Sequence, residues 1–246
     1  IYDPNLDGSA DIARGLRTAR RLLLAINTMA VPTATEMLDP IVPQYIADLV
    51  SWASIGARTT ESQIHRQMAS GLSMPVGFKN RTDGDIQVAI EALKASRHPH
   101  AFLGIDGEGR SCVVKTLGNP WGHLILRGSQ AGPNFDPAIL QDAAARLRAA
   151  QLEPRIMVDC SHGNSGRRPE AQAEVLSRCL EAREAGVSEL FGVMIESNLA
   201  AGAQPISEPV GRLQYGVSIT DACLGWEDTA RLLRETARRV GRGGRP

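Results

Sequence analysis

Residues 155–165 read RIMVDCSHGNS. An apolar run, Ile156-Met157-Val158, stops abruptly at Asp159, Cys160, Ser161 and His162. A continuous apolar run too short for a helix reads as a strand buried on both faces. A polar end rich in metal-competent side chains is what the rim of a parallel α/β barrel presents to a ligand. The pattern recurs on either side: apolar runs end in IGART (55–59), VGFKN (76–80), LILRG (124–128) and FGVMIES (191–197). Each run delivers a functional group where its strand should stop, namely Arg58, Lys79, Arg127, His162 and Glu196. Three cations and two metal-type ligands from five strand ends point to one anionic substrate and one metal in a shared mouth.

Working outward, helical and strand patterns alternate. A helix is expected over roughly 9–29, capped by Asp7 or Ser9, with Ile12, Leu16, Ala19, Leu22, Leu23 and Ile26 as its apolar face. TATEML (33–38) reads as a strand, and Pro40 and Pro43 start a short helix, PQYIADLVSW. Strands at 55–59 and 76–80 feed helices from Glu61 to about Leu72 and over 85–96. Residues 101–106 and 111–116 read as a hairpin around Gly107-Glu108-Gly109 that decorates the sheet. Strands at 124–128, 155–160 and 190–196 follow, the first two leading to helices over 136–151 and 170–185. A loop at about 198–219, a helix from Trp226 to about Val240 and a frayed tail, 241–246, complete the chain.

This alternation is the signature of an α/β fold with a parallel sheet. The 246 residues suit one domain of barrel size, a (β/α)8 barrel typically taking about 250. Only six barrel strands are countable, and six parallel strands would leave two open edges. Three arrangements satisfy the count: two βα units precede Ile1, a partner supplies them, or the sheet is open and doubly wound.

Composition narrows the partners. Basic and acidic residues balance at 27 each, which argues against a nucleic-acid or membrane-surface partner and makes any cationic cluster local. No apolar run approaches the roughly 20 residues of a membrane helix. Cys112, Cys160, Cys179 and Cys223 show no CxxC spacing and read as reduced thiols of a cytoplasmic protein.

One cation at a strand end is commonly a structural ion pair; three at successive ends suggest an anion, because burying unpaired charge is costly. Arg offers a planar fork for phosphate or carboxylate, and Lys offers a point charge. A phosphorylated enol acid would use all three. His162, Glu196 and Asp221 form the second set, one imidazole and two carboxylates suited to Mn, Fe, Co or Zn. His65, His98, His100 and His123 read as surface or helix residues. Gly56-Ala57 allows close approach of backbone to a ligand, and Asn134 reads as a turn residue.

IGARTTESQIHRQMASGLSMPVGFKNRTDG (55–84), LILRG (124–128), MVDCSHGNS (157–165), GVMIESN (192–198) and YGVSITDACLGWEDT (215–229) together resemble class I 3-deoxy-D-arabino-heptulosonate-7-phosphate (DAHP) synthases. The resemblance runs from about Tyr2 to the last helix. It implies a (β/α)8 TIM barrel lacking its first two βα units in this chain. It also implies condensation of phosphoenolpyruvate with erythrose 4-phosphate, the entry step of the shikimate pathway to aromatic amino acids. By match to the family's motifs, Ala57, Arg58, Lys79 and Arg127 would bind phosphoenolpyruvate, and His162, Glu196 and Asp221 would hold one divalent metal. Lys79, His162 and Asp221 would be the catalytic residues. A homo-oligomer is expected. The family's fourth metal ligand, a cysteine on the first barrel strand, and its Lys-Pro-Arg-Thr segment on the second are not in this sequence. This chain alone is therefore expected to be inactive. GLSMPVGFKN, FLGI and VDCSHGNS resemble the tyrosine-sensitive branch, with Gly104 leaving room for a phenol hydroxyl, which makes tyrosine the expected feedback inhibitor.

Overall fold

A computed structural model describes residues 1–206 and 210–243. The elements in order are α1 (Ile12–Thr28), β1 (Ala34–Glu36), α2 (Pro43–Ile46), β2 (Trp52–Ile55), α3 (Gln63–Ala69), β3 (Val76–Lys79) and α4 (Gln87–Ser96). Then come β4 (Ala101–Ile105), β5 (Ser111–Lys115), β6 (His123–Leu126), α5 (Pro137–Ala149), β7 (Ile156–Asp159), α6 (Gln172–Glu184), β8 (Leu190–Met194) and α7 (Trp226–Gly243). Six strands follow the parallel α/β pattern, and β4 and β5 pair only with each other. The chain divides into two compact units, and β6 runs from one into the other.

The first unit holds residues 1–81, 85–124 and 150–153. Here β1 pairs with β2 in parallel (Glu36 opposite Ser54), and β2 with β3 (Ile55 opposite Phe78). Ala53, Ile55 and Phe78 are fully buried, as a strand covered on both faces requires. β4 and β5 pair antiparallel with Leu103 and Val113 exposed, so the hairpin is an appendage as expected. Its turn is tied by Asp106, whose carboxylate accepts from the Glu108 and Arg110 amides at 2.9 Å.

The second unit holds residues 82–84, 125–149 and 154–246. β7 and β8 pair in parallel, with an irregularity between Ile156 and Met157. Ile156 and Val158 are fully buried, and Val175, Leu176 and Cys179 of α6 are buried as well.

Several boundaries differ from the sequence reading. The strand expected at 55–59 is Trp52–Ile55. The preceding helix stops at Ile46, a 3-10 turn ends at Leu49, and the chain extends from Val50. Residues 57–60 then coil into a turn in which the Thr59 and Thr60 amides both reach Gly56 O at 3.0 Å. α1 starts at Ile12 because Asp11, not Asp7 or Ser9, is the cap, accepting from the Arg14 amide at 3.0 Å. Of its expected apolar face, Leu16, Ala19, Leu23 and Ile26 are half-buried, while Ile12 and Leu22 are exposed. α7 continues through Gly243, so 241–243 are helical rather than frayed; 244–246 of the expected tail, and 207–209 of the expected loop, lie outside the described residues. Among the described residues no helix is long and apolar enough to cross a membrane.

Candidate metal centre and substrate cations

Residues 155–165 build the centre. β7 ends at Asp159, and Cys160 and Ser161 carry the chain out to His162, which adopts a left-handed backbone with φ 53°. That conformation turns the imidazole back onto the strand end it has just left. His162 Nδ1 lies 3.0 Å from Asp159 Oδ2 and 2.7 Å from Ser161 Oγ. Asp159 is fully buried, and its Oδ1 accepts from the Ser161 amide (3.0 Å) and hydroxyl (2.6 Å). A buried carboxylate facing Nδ1 selects the tautomer protonated there and leaves the Nε2 lone pair free.

Nε2 points at the other two ligands, with Glu196 Oε1 at 3.6 Å and Asp221 Oδ2 at 3.5 Å. One ligand atom from each of the three residues falls within 4.8 Å of the others. Glu196 lies two residues beyond the end of β8. Asp221 sits on a loop held against that strand end by a parallel bridge between Ser197 and Leu224, in which the Leu224 amide reaches Glu196 O at 3.0 Å. Asp221 is the exposed member, while His162 and Glu196 are half-buried. One neutral imidazole and two carboxylates, converging with one nitrogen lone pair presented, fit a divalent first-row metal.

The loop under His162 is set by glycines and asparagines. A Cβ on Gly163 would lie 2.4 Å from the Ser129 amide nitrogen, so only glycine allows the loops after β6 and β7 to touch backbone to backbone. Asn164 is buried and donates to Leu126 O (3.1 Å) and Asp159 O (2.8 Å), while its Oδ1 accepts from the Asn134 amide (2.8 Å). Asn134 accepts in turn from the Gly128 amide at 2.7 Å. Asn134 is thus a tie between loops, more than the turn residue expected. A cleft lined by His162, Glu196, Asp221, Ser165, Arg167 and Gln172 shares His162, Ser165 and Arg167 with a neighbouring cavity of about 470 Å³.

The expected cations sit at or just past strand ends. In the first unit, Lys79 is the last residue of β3 and buried, whereas Ala57 and Arg58 lie in the turn after β2, Ala57 half-buried and Arg58 exposed. Thr60 Oγ1 donates to Lys79 O at 2.9 Å, fastening that turn to the end of β3. The space beside Gly56 is taken by the Glu36 carboxylate, its Oε1 2.3 Å from where a Cβ would stand. In the second unit, Arg127 follows β6 and is buried, its carbonyl accepting from the Gly163 amide at 3.1 Å.

Some expectations fail. His123 is no surface histidine; it is buried in β6 and accepts from Trp52 Nε1 at 3.0 Å. The room expected beside Gly104 is filled by Val114 and Gln44. The sequence reading missed Asp159, Ser161 and Asn164 as supporting residues, although all three stand in the stretch it started from.

Strands alternating with helices, and a His–Glu–Asp cluster at the ends of two of them, define an α/β chain built around a metal-type centre. The chain belongs to the DAHP synthetase I family, whose pattern matches residues 1–234. It is 51% identical over 235 residues to the Tyr-sensitive phospho-2-dehydro-3-deoxyheptonate aldolase of Escherichia coli, covering 96% of this chain and 66% of the relative. It is 49% identical over 243 residues to the tyrosine-inhibited aldolase of Schizosaccharomyces pombe (98% and 65%), and 49% over 242 to the Phe-sensitive one of E. coli (98% and 68%). The solved structure of the Francisella tularensis aldolase superposes with a TM-score of 0.93 at 47% identity, covering 98% of this chain and 70% of that one. The chain thus spans just under two thirds of the length of the first of these relatives. Six of the eight strands of a (β/α)8 barrel are in this chain.

Proposed function

We propose that this chain carries the metal centre and most phosphoenolpyruvate contacts of a 3-deoxy-7-phosphoheptulonate synthase. The reaction joins C3 of phosphoenolpyruvate to the aldehyde carbon of erythrose 4-phosphate; water adds at C2, and inorganic phosphate leaves. The observation that carries the reading is the His162 imidazole, fixed through Nδ1 by buried Asp159 and aiming Nε2 at Glu196 and Asp221. A divalent metal held by His162, Glu196 and Asp221 supplies Lewis acidity to the aldehyde. Arg58, Lys79 and Arg127, with the backbone at Ala57, neutralise and orient the phosphoenolpyruvate anion. Lys79, buried at the end of β3, is a catalytic residue in this scheme.

The names of the tyrosine-sensitive relatives support tyrosine as the feedback effector. Four free cysteines support a reducing, cytoplasmic setting. Exposed Leu22, Leu24, Met29 and Val31 support a homo-oligomer.

The test is Mn²⁺ binding by the purified protein, and phosphate release from phosphoenolpyruvate and erythrose 4-phosphate. Chelator-sensitive metal binding that His162→Ala abolishes is the expected result, with turnover expected only once the cysteine strand and the Lys-Pro-Arg-Thr strand are supplied. Phosphoenolpyruvate binding without turnover even then would point instead to a non-catalytic binding protein.

A further inference from the structure

We infer that Gln172 is a positioning residue for the metal centre: its side-chain amide clamps the backbone of Glu196 from both sides. Gln172 opens α6 directly after the 3-10 turn Pro169–Ala171 and is fully buried. Its Oε1 accepts from the Glu196 amide at 2.7 Å, and its Nε2 donates to the Glu196 carbonyl at 3.1 Å. Glu196 lies two residues past β8, and its carbonyl also accepts from the Leu224 amide at 3.0 Å. A primary amide presents a donor and an acceptor in one plane, so a single side chain engages both the amide and the carbonyl of Glu196. With its peptide fixed at both ends, Glu196 has only side-chain freedom left, and its carboxylate is held toward His162 Nε2. Asp159 does the same for His162, so the two half-buried ligands each have a buried polar group setting their aim.

The inference rests on His162, Glu196 and Asp221 being metal ligands, and the experiment separates the two claims. Co²⁺ is titrated into the purified wild type, His162→Ala, Gln172→Met and Gln172→Glu. Affinity and the visible absorption of bound cobalt are read, together with the unfolding temperature of each metal-free protein. Methionine keeps the volume and loses both hydrogen bonds. Glutamate keeps the shape and the acceptor, and when protonated in this buried position it also donates to the Glu196 carbonyl. Gln172→Met should bind cobalt roughly tenfold to hundredfold more weakly than wild type with an altered spectrum, and Gln172→Glu should recover most of that loss. Unchanged cobalt affinity and spectrum in Gln172→Met, whatever its unfolding temperature, overturns the inference and leaves the metal centre standing. If Gln172→Met does not fold, Gln172→Glu decides: wild-type-like binding supports the clamp, and a loss as large as that of His162→Ala overturns it. Absence of cobalt binding in the wild type overturns both claims.

Discussion

Asp159 shows how much of a site a single residue can determine. Both carboxylate oxygens are occupied, one by Ser161 and one by the His162 imidazole, and no part of the group meets solvent. Asp159→Asn keeps the shape but replaces an acceptor with an amide that cannot accept at both oxygens. The imidazole then loses the partner that fixes its tautomer, so metal affinity should fall by roughly tenfold to hundredfold, read by calorimetric Mn²⁺ titration. The unpaired buried donors should also cost about 1–3 kcal/mol of stability in urea unfolding. If affinity is unchanged, Asp159 does not orient His162. The identity of this residue was legible in the sequence, but its role was not. His162 reaches back to Asp159 only because it adopts φ 53°, a conformation uncommon for a non-glycine residue that no local signal announces. The cysteines were easier to read. Cys160 and Cys179 are buried, and hydrogen bonding from Cys179 followed by burial pushes the Cys160 thiol well above its ordinary range. Iodoacetamide at mildly alkaline pH should therefore alkylate half-exposed Cys112 before Cys160, as followed by peptide mass spectrometry. Faster labelling of Cys160 would contradict its burial.

At the scale of elements, the strands carry the burial and the loops carry the chemistry. All four residues of β6 are buried, and the loops after β6 and β7 meet at Gly128 and Gly163 with no space for a side chain. A Cβ at Gly163 would stand 2.4 Å and 2.6 Å from the Ser129 amide nitrogen and carbonyl oxygen, both backbone atoms that cannot rotate away. Gly163→Ala must therefore separate the loops. It should cost about 1–3 kcal/mol in denaturant unfolding and weaken metal binding, because His162 is the adjacent residue. A silent substitution would mean the loops are free to part. Apolar runs ending in charge located five of these strands; in β2, β3, β6 and β7 burial on both faces leaves a continuous hydrophobic signal, whereas β8 exposes Phe191 and Val193. The boundaries were harder to read. β2 was expected three residues late because Trp52 looked like the end of a helix, whereas the helix stops at Ile46 and Gly56–Thr60 coils into a turn that only the fold shows. Nothing in the sequence singled out Gln172 within the helix expected over 170–185, because its partner, Glu196, is distant in sequence.

For the whole molecule, charge balance was the most legible property, and it sets the response to acid. The 27 basic and 27 acidic residues cancel near neutral pH. Lowering the pH removes carboxylate charge and leaves a strongly positive chain that repels itself. Individual pairs act in the same direction. The Arg239 guanidinium grips both oxygens of Glu184, at 2.6 and 2.7 Å, joining α7 to α6 and holding that carboxyl below its ordinary 4.5. Arg20 likewise holds Asp48 below 3.8. A carboxylate with a depressed folded-state pKa stabilises the fold above its unfolded value, and the stabilisation is lost as pH falls through the folded one. These pairs are exposed, so each contributes little and salt screens them. Tyr2 acts in the opposite sense. Its bond to Asp39 pushes the phenol up to about 12 from 10.0, so its contribution holds below pH 10 and is lost as pH rises toward 12. The unfolding temperature should therefore fall as pH drops below about 4.5. Added salt should flatten the part of that fall that comes from self-repulsion. Arg239→Ala should lower the neutral-pH unfolding temperature slightly and leave a shallower acid slope, because the group whose proton uptake it would report is already relaxed. Calorimetric scans across the acid range at two salt concentrations test this, and an Arg239→Ala slope as steep as wild type would mean that the Glu184 pair plays no part in acid unfolding.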